Sequence, residues 1–385
     1  MAEKKFRAGV IGLGWMGMLY DVGSRMGTWH IDDVNRPTPD DSELDIHRKF
    51  HAYQRHDSRL GIPVSYSMAL HDRPEVELVA AADRDVNRLR ICGERFGINK
   101  LYSDAKEMLK KESLDILAIS TNVKGRAELT VLAVKYGAKG IMTEKPMAYS
   151  LEETDQMVEV CKNAGVPLVC GSTSASHPSM ASAKQLIQDG AIGEVLSYDI
   201  SSNTNLSQHQ NWSYFIDSPA AWVIATGDEE KRESGSAEFR GEGMLVTESG
   251  QVVHFRKGGP MMRVTGTEGE IYKRDAYTTW HLAKDIKRSS LSGVNLPENQ
   301  SYKVDRVEVP WPLIQMQEGS CTAYGFADVF DCLAGKLDEP KNSGRRVAKA
   351  LEVEFALKMS SAQGGVPIKL PLKDRSISME YDWHR

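Results

Sequence analysis

Residues Ala8-Gly9-Val10-Ile11-Gly12-Leu13-Gly14-Trp15-Met16-Gly17 decide the fold. They read as a short apolar strand running into G-x-G-x-x-G. In that pattern the first glycine permits a tight turn, and the second lets a pyrophosphate approach the backbone. The third lets the following helix pack close to the strand. Free N–H groups at the start of that helix hold phosphate oxygens, so Gly12, Leu13, Gly14, Trp15, Met16 and Gly17 are candidate cofactor-binding residues. The motif follows a strand and precedes a helical stretch, the context it needs to mean a dinucleotide site.

Two further strand ends support that reading. Glu77-Leu78-Val79-Ala80-Ala81-Ala82 is apolar and ends at Asp83-Arg84. An acid there can accept both ribose hydroxyls of an adenosine, which favours NAD over NADP, although Arg84 could tolerate a 2′-phosphate. The usual spacing from the glycines to this acid is about 20 residues. Here it is far longer, because a segment from about 23 to 65 is interposed. The other strand, Ala138-Lys139-Gly140-Ile141, closes on Met142-Thr143-Glu144-Lys145-Pro146. A lysine at a buried strand end is costly unless it is paired or does chemistry. Desolvation also depresses an amine's pKa, which suits proton transfer near neutral pH. The plain alternative is a strand-end ion pair on a loop.

Together these residues resemble the glucose-fructose oxidoreductase/inositol dehydrogenase (Gfo/Idh/MocA) family. Asp115-Ile116-Leu117-Ala118-Ile119-Ser120-Thr121-Asn122 is similar to the family's fourth strand and nicotinamide-side loop. Gly190-Ala191-Ile192-Gly193-Glu194-Val195, Val264–Ile271 and Val366–Pro371 resemble elements of its second domain. The resemblance implies an α/β fold: an N-terminal Rossmann dinucleotide-binding domain over residues 1–147, carrying the insertion, and a C-terminal α+β domain over 148–385. The second domain is expected to hold a large, mainly antiparallel open sheet. It would bind substrate and pair subunits into a homodimer or homotetramer.

The family's EKP lysine matches Lys145, with Glu144 beside it, and Ser120, Thr121 and Asn122 fall on the cofactor loop. The family's Asp-x-x-x-His pair falls on Asn205-Leu206-Ser207-Gln208-His209, with asparagine in place of aspartate. Asn205 can orient a hydroxyl but cannot take its proton, so the resemblance leaves catalysis to Lys145 and His209. Trp212 follows in a cluster of amides and aromatics suited to a polyol. His177, in Ser176-His177-Pro178, could line the same pocket or cap the next helix. In the insertion, Trp29 and His30 offer an aromatic face beside a hydrogen-bonding ring. His47 and His51 could share a helical face, but no third ligand is evident and no metal is expected.

Composition agrees with a small-molecule enzyme. The 385 residues suit two domains with ample core. A net charge of −5 gives no basic footprint for nucleic acid. No run of about 18 apolar residues suggests a membrane span. Five scattered cysteines without C-x-x-C, and no signal-peptide pattern before the first strand, predict a reducing, cytoplasmic setting. The function expected is an NAD-dependent oxidoreductase acting on a hydroxyl of a sugar, cyclitol or glycoside by hydride transfer. Two alternatives stay open. One is a glycosidase that oxidises, eliminates and re-reduces with bound NAD. The other is a non-catalytic nucleotide-binding regulator.

Periodicity predicts helices over Arg84–Phe96, Asp104–Glu112, Lys124–Tyr136, Leu151–Asn163, Ala323–Ala334 and Arg345–Ser361. Strands are expected at Val166–Cys170, Val195–Ser202, Phe239–Glu248, Gln251–Arg256, Met261–Thr265 and Glu270–Lys273. The polar stretch Arg274–Asn299 reads as strand ends and loops.

Overall fold

The computed structural model describes residues 5–20, 64–171, 173–202, 211–228, 238–274, 279–289, 302–313 and 321–378. Its first sheet has six parallel strands: β1 (Phe6–Ile11), β2 (Val76–Ala82), β3 (Lys100–Tyr102), β4 (Ile116–Ile119), β5 (Gly140–Thr143) and β6 (Leu168–Cys170). Their order is β3-β2-β1-β4-β5-β6. Helices α1 (Tyr66–His71), α2 (Val86–Phe96), α3 (Ala105–Lys111), α4 (Arg126–Lys135) and α5 (Leu151–Ala164) connect them. Strand order reverses between β1 and β4, so a crevice opens beyond their carboxyl ends, where open α/β sheets hold ligands.

Continuous apolar runs suit strands covered on both faces. Ala8, Val10, Ile116 and Met142 enter one core cluster, while Ile11, Ile119 and Ile141 enter the other. The helix starts follow local chemistry. Asp85 and Asp104 cap α2 and α3 through their carboxylates, and Ser150 caps α5. Gly97 and Gly165 end α2 and α5 in the left-handed conformation.

The helical stretch expected after the glycines opens as a π turn and is α-helical at Tyr20, beyond which residues 21–63 lie outside the described residues. Trp15–Leu19 is a single π turn, in which Leu19 N–H bonds Gly14 O at 3.0 Å across five residues. Helical structure is next described at α1, after the insertion.

Beyond β6 come α6 (Pro178–Gln188) and a nine-stranded mixed sheet. Its strands are β7 (Val195–Ser201), β8 (Ala220–Thr226), β9 (Glu242–Thr247), β10 (Val252–Arg256), β11 (Met262–Gly266), β12 (Gly269–Lys273), β13 (Trp280–Ser289), β14 (Tyr302–Val309) and β15 (Ile368–Lys369). The order is β14-β13-β12-β11-β7-β10-β9-β8-β15. All described pairings are antiparallel except β10 with β7. A short helix, α7 (Asn211–Phe215), precedes β8.

Strand β13 replaces the reading of strand ends and loops over Trp280–Ser289, while residues 275–278 and 290–299 lie outside the described residues. Trp280 and Leu282 are buried, but from Lys284 onward the strand runs past the core. It is held there by β14 and by cross-strand ion pairs such as Arg306 with Asp285 at 2.7 Å. A strand with both faces solvated gives no apolar alternation to read.

Two late helices return toward the first half. Helix α9 (Gly344–Ala362) packs its buried face on β8 and α5. Helix α8 (Cys321–Leu333) places Phe326, Val329 and Phe330 in the same core as Val10 and Met142. The dinucleotide-type sheet is therefore completed by residues far along the chain. Among the described residues no helix is long and apolar enough to cross a membrane.

Phe326 is fully buried and meets Tyr66 edge-on at 5.8 Å. Phe326→Ala is expected to cost roughly 3–5 kcal/mol, from lost burial plus the cavity. Urea unfolding measures this; a loss below about 1 kcal/mol would show that α8 is not part of the first core.

Candidate active site

Parallel pairing brings four strand ends to one edge. The glycine loop follows β1, Asp83 follows β2, Ser120–Asn122 follows β4, and Glu144-Lys145-Pro146 follows β5. Gly12 holds φ +87°, and a Cβ there would meet the Ser120 backbone at 2.9 Å. At Gly17 a Cβ would lie 1.9 Å from Gly12 O. Gly14 differs from both: among the described residues, its chain neighbours aside, a Cβ would find no atom within 4 Å. Its missing side chain therefore leaves open space beside the turn, the cradle a pyrophosphate needs.

Asp83 is tied into that turn. Its carboxylate accepts the Leu13 N–H at 2.5 Å and the Asp85 N–H at 2.8 Å. Arg88 stands 3.8 Å away. A carboxylate has about four acceptor sites, so capacity remains for ribose hydroxyls. Arg84 is exposed. Ser120 Oγ donates to Gly12 O at 2.5 Å, joining the β4 loop to the glycine loop. Asn122 Oδ1 accepts the Val123 N–H at 2.7 Å.

The β5 end is more heavily supported than the sequence suggests. Glu144 is 9% exposed. Its carboxylate accepts the Tyr66 hydroxyl at 2.8 Å and the Lys145 N–H at 2.8 Å. Burial, and then the neighbouring Glu144 charge, push the Tyr66 phenol well above its ordinary range, so it stays a neutral donor. The Lys145–Pro146 peptide is cis, and the Lys145 side chain is half-buried. Beneath this turn lies the Arg126 guanidinium, 1% exposed. It donates to Glu144 O at 2.6 Å and also to Pro146 O and Thr121 O.

Tyr66 and Arg126 were not singled out from the sequence.

Other expected residues lie elsewhere. His177 is buried and caps α6, accepting the Ser179 N–H through Nδ1 at 3.2 Å, with its ring edge-on to Tyr324 at 5.2 Å. Trp212 is 1% exposed and packs edge-on against Phe255 at 5.7 Å in the second core. Asn205, His209, Trp29 and His30 lie outside the described residues. Cys92, Cys161 and Cys170 are buried, and burial pushes each thiol up to about 12. None supplies a thiolate at neutral pH.

Residues 48–172 match the sequence profile of an oxidoreductase family with an NAD-binding Rossmann fold, Gfo/Idh/MocA. The match covers 125 of the 385 residues, so it speaks for similarity over that segment. D-apiose dehydrogenase of Paraburkholderia graminis is 38% identical over 125 residues, 32% of this chain and 33% of that protein. Myo-inositol 2-dehydrogenase of Thermotoga maritima is 28% identical over 117 residues, 30% of this chain and 35% of that protein. The chain thus spans about a third of the length of the curated relatives it matches. Over nearly the whole chain the fold is that of an aldose-aldose oxidoreductase from Caulobacter crescentus, crystallised with glycerol. The TM-score is 0.63 at 18% identity, covering 95% of this chain and all of the other. At that identity the likeness speaks for fold, including the second sheet.

The glycines separate two kinds of damage. Gly14→Val is expected to leave the melting temperature nearly unchanged while weakening NADH binding about tenfold or more, because its side chain fills the cradle. Gly17→Val should destabilise the protein itself. Fluorescence titration and thermal melting distinguish the two; equal melting losses would contradict this division.

Proposed function

We propose that this protein is a nicotinamide-nucleotide oxidoreductase acting on a hydroxyl of a sugar, cyclitol or glycoside, with NAD preferred to NADP. The observation that carries the proposal is the common edge: an open glycine cradle, a fixed acid after β2, and a half-buried lysine after β5. The names of two relatives, a D-apiose dehydrogenase and a myo-inositol 2-dehydrogenase, support the substrate class.

Bound NAD would supply a hydride acceptor. The chain's own groups do the rest. The Gly12–Gly17 backbone receives the pyrophosphate, and Asp83 accepts ribose hydroxyls, which disfavours a 2′-phosphate. Lys145 orients the reacting hydroxyl and helps carry its proton, with His209 as partner base on the family resemblance. Glu144 is buried and accepts from Tyr66 and the Lys145 backbone, so its part is to hold the turn that carries Lys145.

The outward positions of β8–β10, alternate to the buried ones, include Trp222, Ile224, Met244 and Val252. This apolar strip supports pairing of subunits through the second sheet.

Screening pentoses, hexoses, inositols and glycosides with NAD, read by reduced-cofactor absorbance, tests the activity. Lys145→Ala is expected to retain NADH binding and to lower kcat by a factor of roughly 10² or more. Turnover near the wild-type rate would make Lys145 a structural strand-end charge. A clear preference for NADP in the titration would show that Arg84, not Asp83, governs the nucleotide.

A further inference from the structure

Arg126 sits where an arginine is doubly unfavourable. It is the first residue of α4, where the helix dipole repels a cation. It is also closed off from water, where a charge is costly, and its Nε finds no hydrogen-bond partner among the described residues. The electrostatic compensation comes from the neighbouring Glu144 carboxylate.

The geometry of its donors shows what the guanidinium holds. Thr121 lies two residues past the end of β4, and Glu144 and Pro146 lie just past the end of β5. The ladder between these strands reaches Ile119 opposite Thr143, with one more bond from Glu144 N–H to Ile119 O at 3.0 Å. Beyond that point the two loops diverge from sheet pairing. Arg126 takes over, with one nitrogen on Glu144 O and Pro146 O and another on Thr121 O. Two of its three acceptors flank Lys145 on both sides. The third belongs to the loop expected to face the nicotinamide.

We propose that Arg126 is the positioning residue of this site: its buried fork sets where Lys145 stands relative to the Ser120–Asn122 loop. The proposal rests on reading Lys145 as the catalytic amine, but the position it sets can be measured without turnover. A forked cation is required, because two separate nitrogens meet three carbonyls from two loops; the single nitrogen of a lysine at the same place cannot span them.

The test uses the full chain with Arg126→Ala and Arg126→Lys. The first readout is the acylation rate of Lys145 by an amine-reactive ester, followed by peptide mass spectrometry, with the exposed Lys100 as internal reference. The second is NADH affinity by fluorescence. The third is kcat and KM on whichever substrate the sugar screen returns. In Arg126→Ala the Lys145 rate, normalised to Lys100, is expected to change at least threefold, with NADH affinity kept within about threefold. A displacement near 1 Å at a reacting group lowers kcat by roughly 10²-fold, with KM for the substrate little altered. Added guanidinium should restore the Lys145 rate and kcat in Arg126→Ala, but not in Arg126→Lys, whose side chain fills the site.

An unchanged Lys145 rate in a folded Arg126→Ala, with no response to guanidinium, overturns the proposal. Full activity in Arg126→Lys overturns the need for a fork. If Arg126→Ala does not fold, Arg126→Lys still decides through its Lys145 rate and kcat. A changed and rescuable Lys145 rate, in a protein that oxidises no sugar, would sink the proposed activity while leaving the positioning role standing.

Discussion

The structure depends on how backbone polar groups are satisfied where the parallel ladder ends. Inside the sheet every strand finds its partner on a neighbour. Past the carboxyl ends the loops separate, and buried N–H and C=O groups need other partners. Here a few polar side chains supply them. Asp83 takes the N–H groups of Leu13 and Asp85. Ser120 covers Gly12 O. Glu144 takes the Lys145 N–H, and Arg126 takes three carbonyls. Each bond is modest in water-accessible surroundings, but leaving such a group buried and unpaired costs about 1–3 kcal/mol. The same bonds that stabilise the edge therefore fix its shape, and the residues with chemistry stand on that fixed edge.

Two charged groups beneath this edge are buried together. A buried cation and a buried carboxylate meet at one turn, and the phenol of Tyr66 donates to the carboxylate. Tyr66 is the first residue of the helix that follows the insertion, so the chain's return from that segment is anchored on Glu144. Its ring also packs on Phe326 of α8. A contact between Tyr66, Glu144 and a late helix thus links three parts of the sequence that are far apart along the chain.

Much of this was legible in the residues. The glycine spacing, the acid after Ala82 and the Glu-Lys-Pro turn place three strand ends on one edge, because a parallel sheet admits no other arrangement. Helix limits near Asp85, Asp104 and Ser150 follow from their capping side chains. Three things were hidden for physical reasons. The π turn after Gly14 leaves no period in five residues. Strand β13 leaves its core midway, so its alternation stops. Arg126 reads as one more surface charge on a helix until tertiary structure closes over it. Trp212 shows the reverse case: an aromatic among amides looks like a sugar platform, yet its indole is packed against Phe255 in the second core.

The most direct measurement is a crystal structure of the protein grown with NAD, reading the position of the nicotinamide. The account predicts the pyrophosphate over Gly14 and the nicotinamide C4 within about 6 Å of Lys145 Nζ, two hydrogen-bond lengths, leaving room for one substrate hydroxyl. A nucleotide bound away from the glycine turn, or a Lys145 side chain directed away from the ring, would contradict it.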